Sequence, residues 1–157
     1  MEYLALKWLH ILSATLLYGT GLGSAFYKFM ADRSGNLQAI AQTNKVVVLA
    51  DWCFTTPTVI LQPVTGIWLA HLAGYPLTSS WLVVSMLLYS VAGLCWLPVV
   101  RLQIRMKMLA LEAVSHDRPL DPRYTRLTRA WFWLGVPAFI ALVLVYVLMV
   151  FKPVLWS

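Results

Sequence analysis

Long runs without Lys, Arg, Asp or Glu divide the chain: Trp8 to Tyr27, Trp52 to Val100, and Ala130 to Phe151. A helix that crosses a bilayer needs about 20 mostly apolar residues. The middle run is long enough for two helices, and the turn-forming stretch Gly74-Tyr75-Pro76-Leu77-Thr78-Ser79-Ser80 separates them. The pattern therefore predicts four spans, at roughly 4–27, 46–72, 81–100 and 130–151, in an all-α integral membrane four-helix bundle made of one domain over 1–157. Beyond the third span, Arg101 to Leu109 alternates basic residues with Leu and Met, which predicts a helix extended into the cytoplasm. Arg118-Pro119-Leu120-Asp121-Pro122 ends it. The first run has full span length and lacks a small-residue cleavage site, which argues for a retained helix rather than a secretory signal.

Composition agrees with the pattern. The chain is 61% hydrophobic and 11% charged, where a soluble domain carries about 25% charged residues. The net charge of +6 lies in the segments between spans rather than on a basic, aromatic-interleaved face, which excludes nucleic acid as a partner. Lys28, Arg33 and Lys45 follow the first span, and Arg101, Arg105, Lys107, Arg118, Arg123, Arg126 and Arg129 follow the third. Of the 12 Lys and Arg, only Lys7 and Lys152 fall at the opposite side. The positive-inside rule then puts both termini outside and both basic segments in the cytoplasm, in a bacterial inner membrane. Trp8, Trp68, Tyr75, Trp81 and Trp156 fit the outer interface; Tyr27, Trp52, Tyr124, Trp131 and Trp133 fit the inner one. Cys53 and Cys95 have no CxxC spacing and read as unpaired thiols near the reducing side.

Within this frame His10 is the leading candidate for chemistry, because an ionisable group inside a span is costly unless it faces the interior with a partner. Its helical face reads His10, Ala14, Leu17, Gly21 and Ala25, small enough for a close helix or a flat ligand. Lys7, one turn outward, is placed to meet a carboxylate such as a haem propionate. Gly19 and Gly23 form a GxxxG pair, which points to tight packing inside the bundle or at a homodimer seam through the first helix. The second span carries Asp51, Thr55, Thr58, Gln62 and Thr65 on one helical face, which must look inward because lipid offers no hydrogen bonds. This stripe is either a polar seam between helices or the lining of a ligand or proton path, with Gln62 and Thr58 the candidate cofactor contacts. Asp51, near the inner interface, is expected to cap a helix or pair with Lys45 or Arg101. His71 is a candidate second metal ligand beside His10, although nine residues from Gln62 set it about half a turn off the stripe. Met86 is an alternative axial ligand or a core filler, and His116 reads as solvated. No nucleophile–base arrangement, carboxylate pair or cysteine-rich metal spacing is present.

Three segments resemble a group of small bacterial membrane proteins, the HemJ-type protoporphyrinogen oxidases. Lys7-Trp8-Leu9-His10-Ile11 is similar to their first-helix K-x-x-H motif. Thr56-Pro57-Thr58 with Thr65-Gly66-Ile67-Trp68-Leu69 is similar to their second helix, and Val136-Pro137 with Val150-Phe151-Lys152-Pro153 to their last. The resemblance implies an uncharacterised integral-membrane family related to these oxidases and to the CopD copper-resistance proteins, with haem b bound through His10. In the third helix the oxidases carry Trp-Leu-His-x-Lys and a later Tyr-His; this chain has Trp81-Leu82-Val83-Val84-Ser85 and Leu94-Cys95-Trp96. The resemblance thus supplies no partner ligand for His10.

The expectation is a haem-b-binding membrane protein with a redox or haem-handling role, its partners the bilayer and a quinone or a porphyrin. Two alternatives stand beside it: a cofactor-free accessory or assembly subunit, and CopD-like copper transport. Copper transport would want several outward soft ligands, and the chain offers only scattered Met1, His71 and Met86.

Overall fold

In the computed structural model, which describes residues 1–156, the chain is all-helical. Four long helices follow one another: α1 (Glu2–Ser34), α2 (Leu37–Leu72), α3 (Ser80–Ser115) and α4 (Pro122–Phe151). Their boundaries follow local chemistry. Gly35 ends α1 in the left-handed conformation at φ 67°, and the Asn36 side chain accepts the Ala39 amide at 3.1 Å to start α2. Asp121 accepts the Arg123 amide at 2.7 Å, with Pro122 in the first turn of α4. The third helix runs well past its apolar stretch, as its basic–apolar alternation predicts. The first connection is shorter than the four-span reading supposed. Lys28 and Arg33 belong to α1 and Lys45 to α2, leaving Gly35 and Asn36 alone to reverse the chain.

The bundle has the polarity of a membrane protein. Ser13, Asp51, Thr55, Thr58, Gln62, Thr65, Ser85 and Gln103 are buried, while Trp8, Leu22, Phe26, Leu49, Ile60, Leu87, Leu94 and Ile140 are exposed. Lipid tolerates the second set and cannot satisfy the first. The helices α2, α3 and α4 are long and apolar enough to cross a membrane. The first helix is diluted by His10, its hydroxyl residues and three glycines, and presents Ile11, Leu12, Leu16, Leu22 and Phe26 outward.

The four helices form two hairpins, α1–α2 and α3–α4. The Leu37–Ala50 part of α2 packs on α3, and the Thr56–Leu72 part packs on α1, whereas α1 and α4 barely touch. The hairpins are therefore joined at the end that carries the basic residues and splay toward the end that carries both termini. At the basic end Lys28, with no exposed surface, donates to Asp32 at 2.6 Å and to the Tyr124 hydroxyl at 2.9 Å. Tyr124 in turn donates to Asp32 at 2.6 Å and accepts from Asn44 at 2.7 Å. This clasp ties α1, α2 and α4, above a core of Ile40, Val99, Met106, Ala110 and Trp131. At the terminal end Lys152 donates to the Tyr75 hydroxyl at 3.2 Å, and the Leu155 amide to Ser80 at 2.9 Å.

Candidate functional site

The polar stripe of α2 faces inward, and its middle is distorted. Pro57 has no amide hydrogen for the Cys53 carbonyl, and the preceding turn opens into a π-turn over Asp51–Thr55 in which the Thr56 amide reaches the Asp51 carbonyl. All five stripe residues are buried. The π-turn sets Asp51 and Thr55 toward the basic end of the interhelical cleft, and the regular helix beyond it sets Gln62 and Thr65 against α1.

His10 sits in that second contact. Its Nδ1 lies 2.7 Å from Thr65 Oγ1. The Thr65 hydroxyl hydrogen goes to the Leu61 carbonyl at 2.6 Å, so the imidazole donates at Nδ1 and its Nε2 carries the free lone pair. Gln62 fixes the backbone behind the ring, donating to the His10 carbonyl at 2.9 Å and to Ser13 at 2.7 Å. Gly66 leaves the space the ring occupies, because a Cβ there would stand 3.3 Å from His10 Cε1. A histidine with a fixed tautomer and one unpartnered nitrogen is the form in which imidazole binds a metal.

The half-buried ring faces a cavity of about 480 Å³ between the splayed hairpins. Its walls are mostly apolar, from Ala14, Leu69, Leu82, Val145 and Met149, and Lys7 and Lys152 stand at its mouth. Lys152 is held over the rings of Tyr75 and Trp81, 4.6 and 5.7 Å from their centroids. Lys7 lies 5.9 Å from the Tyr3 ring centroid. The basic-residue count already put Lys152 at the same end as Lys7; that it borders the His10 cavity depends on how α4 packs there and was hidden in the sequence.

The other candidates separate. Gln62 lines the cavity and is occupied in holding α1. Thr58 donates to the Phe54 carbonyl at 2.6 Å within its own helix and lines neither the His10 cavity nor the one around Asp51. His71 is exposed and absent from the wall of the cavity that His10 lines, in keeping with its half-turn offset from the stripe. Met86 reaches the cavity wall. Asp51 is buried, accepts from Thr55 at 2.9 Å and pairs with neither Lys45 nor Arg101. Gly19 packs against no other helix, which removes the intramolecular reading of the GxxxG pair. Cys53 is exposed and Cys95 half-buried, and they are not linked. Among the described residues, no three His, Cys, Asp or Glu side chains gather as a metal site.

Fold and site together define a helical integral membrane protein with a histidine-bearing cavity between two hairpins. The chain belongs to the family described as "Predicted integral membrane protein (DUF2269)", which matches residues 4–153. No curated protein and no solved structure matches it, and no kinship to the HemJ-type oxidases or to CopD emerges from these comparisons.

Proposed function

We propose that the cavity at the terminal end binds haem b through His10, in a protein with a redox or haem-handling role in the bacterial inner membrane. The observation that carries this reading is the Thr65–His10 hydrogen bond, which leaves Nε2 unprotonated beside a ligand-sized apolar space. Lys7 and Lys152 at the mouth suit the two propionates of a haem whose flat body lies among apolar side chains. Bound haem would supply a one-electron redox centre, while the chain supplies the ligand, the slot and the cations. Met86 and Met149 also line the space and are the thioethers available as a second ligand. The basic end faces the cytoplasm in this reading, so a cysteine placed at Gly35 is labelled only from inside.

The test is the absorption spectrum of the purified full chain after expression with ample haem. A Soret band, with b-type α and β bands on reduction, is expected, and His10→Ala should lose or shift them. Lys7→Ala should weaken retention less, because a contact at the interface is screened by water. His71→Ala should change nothing. A colourless wild-type protein would overturn the reading and favour a cofactor-free accessory subunit, whose His10, Gln62 and Thr65 only tie α1 to α2.

A further inference from the structure

The four buried side-chain nitrogen and oxygen atoms without a hydrogen-bond partner among the described residues are Asp51 Oδ2, Trp96 Nε1, Gln103 Oε1 and Trp131 Nε1. All four residues line a single second cavity, of about 350 Å³, toward the basic end of the cleft. Asp51, Gln103 and Trp131 are 6%, 4% and 9% exposed. Unpaired buried polar groups are rare, because each forfeits a hydrogen bond it had in water. Three from α3 and α4 and one from the π-turn of α2, gathered on one space, mark a site with something to receive.

The rest of the wall says what shape it receives. Apolar and aromatic residues dominate it, among them Leu17, Val59, Phe132 and Phe139. Gly21, Gly93 and Gly135 face it from three helices, and a Cβ on any of them would meet no atom within 4 Å. None of these glycines is needed for helix packing; together they keep the space wide. Leu22, Phe132 and Ile140 line the cavity and are also exposed on the lipid side, along the seam where α1 and α4 barely touch. Tyr18, stacked on Phe139 at 5.2 Å and edge-on to Tyr146 at 5.5 Å, is the only aromatic bridge across that seam among the described residues, and lies between this cavity and that of His10. Access is therefore from the bilayer.

The polar atoms narrow the chemistry. A cation would meet two indole N–H groups, and an anion would meet the Asp51 carboxyl with no basic residue in the wall. A neutral, flat, lipid-soluble molecule carrying oxygens that can both accept and donate satisfies all four. We propose that this cavity binds the headgroup of a membrane quinone. The oxidised ring accepts from Trp96 and Trp131 through its carbonyls, and the reduced ring donates from its hydroxyls to Gln103 and Asp51. The site is separate from that of His10 and does not depend on haem.

Calorimetric titration of the full-length detergent-solubilised protein with decylubiquinone tests this, with decylbenzene as the control that lacks oxygens. A saturable one-site isotherm is expected for the quinone and none for the control. Trp131→Phe and Trp96→Phe should each weaken the quinone about tenfold, the worth of one net hydrogen bond. Gln103→Leu should weaken the quinol more than the quinone. Gly93→Phe, whose Cβ meets no atom within 4 Å and whose ring would occupy the cavity, should abolish binding while circular dichroism shows unchanged helicity. His10→Ala should bind quinone as the wild type does, which separates this proposal from the haem reading. Absence of saturable binding, equal heats with decylbenzene, or wild-type affinity in both Gly93→Phe and Trp131→Phe would overturn it.

Discussion

The hydroxyl of Tyr89 donates to the carbonyl of Val59 at 2.7 Å, and that carbonyl is the one Pro63 deprives of its helical amide. A residue on α3 thus repairs the hydrogen-bond ladder of α2, in the stretch where the two hairpins otherwise separate. Both residues line the cavities, Tyr89 on both sides and Pro63 on that of His10. Tyr89→Phe should cost about 1–3 kcal/mol, the penalty for a buried acceptor left unpaired. Pro63→Ala restores an amide to Val59 and should offset most of that loss. The double-mutant cycle in detergent unfolding should therefore be non-additive; strict additivity would mean that the tyrosine acts elsewhere.

The clasp at the basic end makes a prediction of the opposite kind. Lys28→Met removes the buried ammonium that Asp32 and Tyr124 share, and breaking such a pair costs about 3–5 kcal/mol. Replacing both ends, as Lys28→Met with Asp32→Leu, should recover most of it. The clasp also has a pH signature. Burial, and then the hydrogen bond to Asp32, raise the Tyr124 phenol above its ordinary value of about 10. The folded state thus keeps a proton that the unfolded state releases. Its stabilisation is complete below pH ~10 and is lost as pH rises toward the folded value. Burial pulls the Lys28 ammonium down, against the opposing pull of Asp32. That penalty is full below the lowered folded value and fades as pH climbs from there to the ordinary lysine value, so it acts in the other direction. Wild type and Tyr124→Phe both carry buried Lys28, so the difference between their melting curves removes most of its contribution and leaves chiefly the phenol and its bond to Lys28. That difference should shrink above pH 10, and a constant gap would contradict the assignment.

The α2 stripe was legible in the sequence because a bilayer permits one orientation for Asp51, Thr55, Thr58, Gln62 and Thr65, and all five are buried. The offset of His71 was legible for the same reason of period. What the sequence concealed was pairing across distance. Thr65 as the partner of His10, Lys7 and Lys152 bordering one cavity, and Trp96 and Trp131 sharing a wall with Asp51 all depend on how the hairpins splay. Lys28 read as a loop charge because, although Asp32 lies one turn along α1, the Tyr124 hydroxyl that completes its burial lies on α4, outside any local window. Gly19 and Gly23 show the limit of a spacing signal: it suits close packing, no other helix of this chain approaches them, and of the two readings only the homodimer seam is left.

Thr65 and Gly66 offer the sharpest test of the histidine site, because neither would touch the iron through its own side chain. Thr65→Val keeps the shape of the side chain and removes the acceptor of the His10 Nδ1 hydrogen. The hydroxyl also back-bonds to Leu61 within α2, and leaving the half-buried Nδ1 hydrogen without its acceptor should lower stability by about 1–3 kcal/mol. The imidazole, however, loses the group that fixes its tautomer and ring plane. Loss of such a supporting contact typically weakens metal affinity about 10–100-fold. The expected result is a protein that inserts and folds as the wild type does, loses haem faster to an apo-globin acceptor, and shows a shifted reduced α band. Thr65→Ser, which restores the hydroxyl, should recover the wild-type spectrum. Gly66→Ala places a methyl 3.3 Å from His10 Cε1 and should displace the ring, giving the same loss by a steric route. If Thr65→Val and Gly66→Ala both leave haem retention and spectrum unchanged while His10→Ala abolishes them, His10 does not ligate from this geometry. If all three are silent in a haem-containing protein, the iron is held elsewhere and His10 is only a tie between α1 and α2.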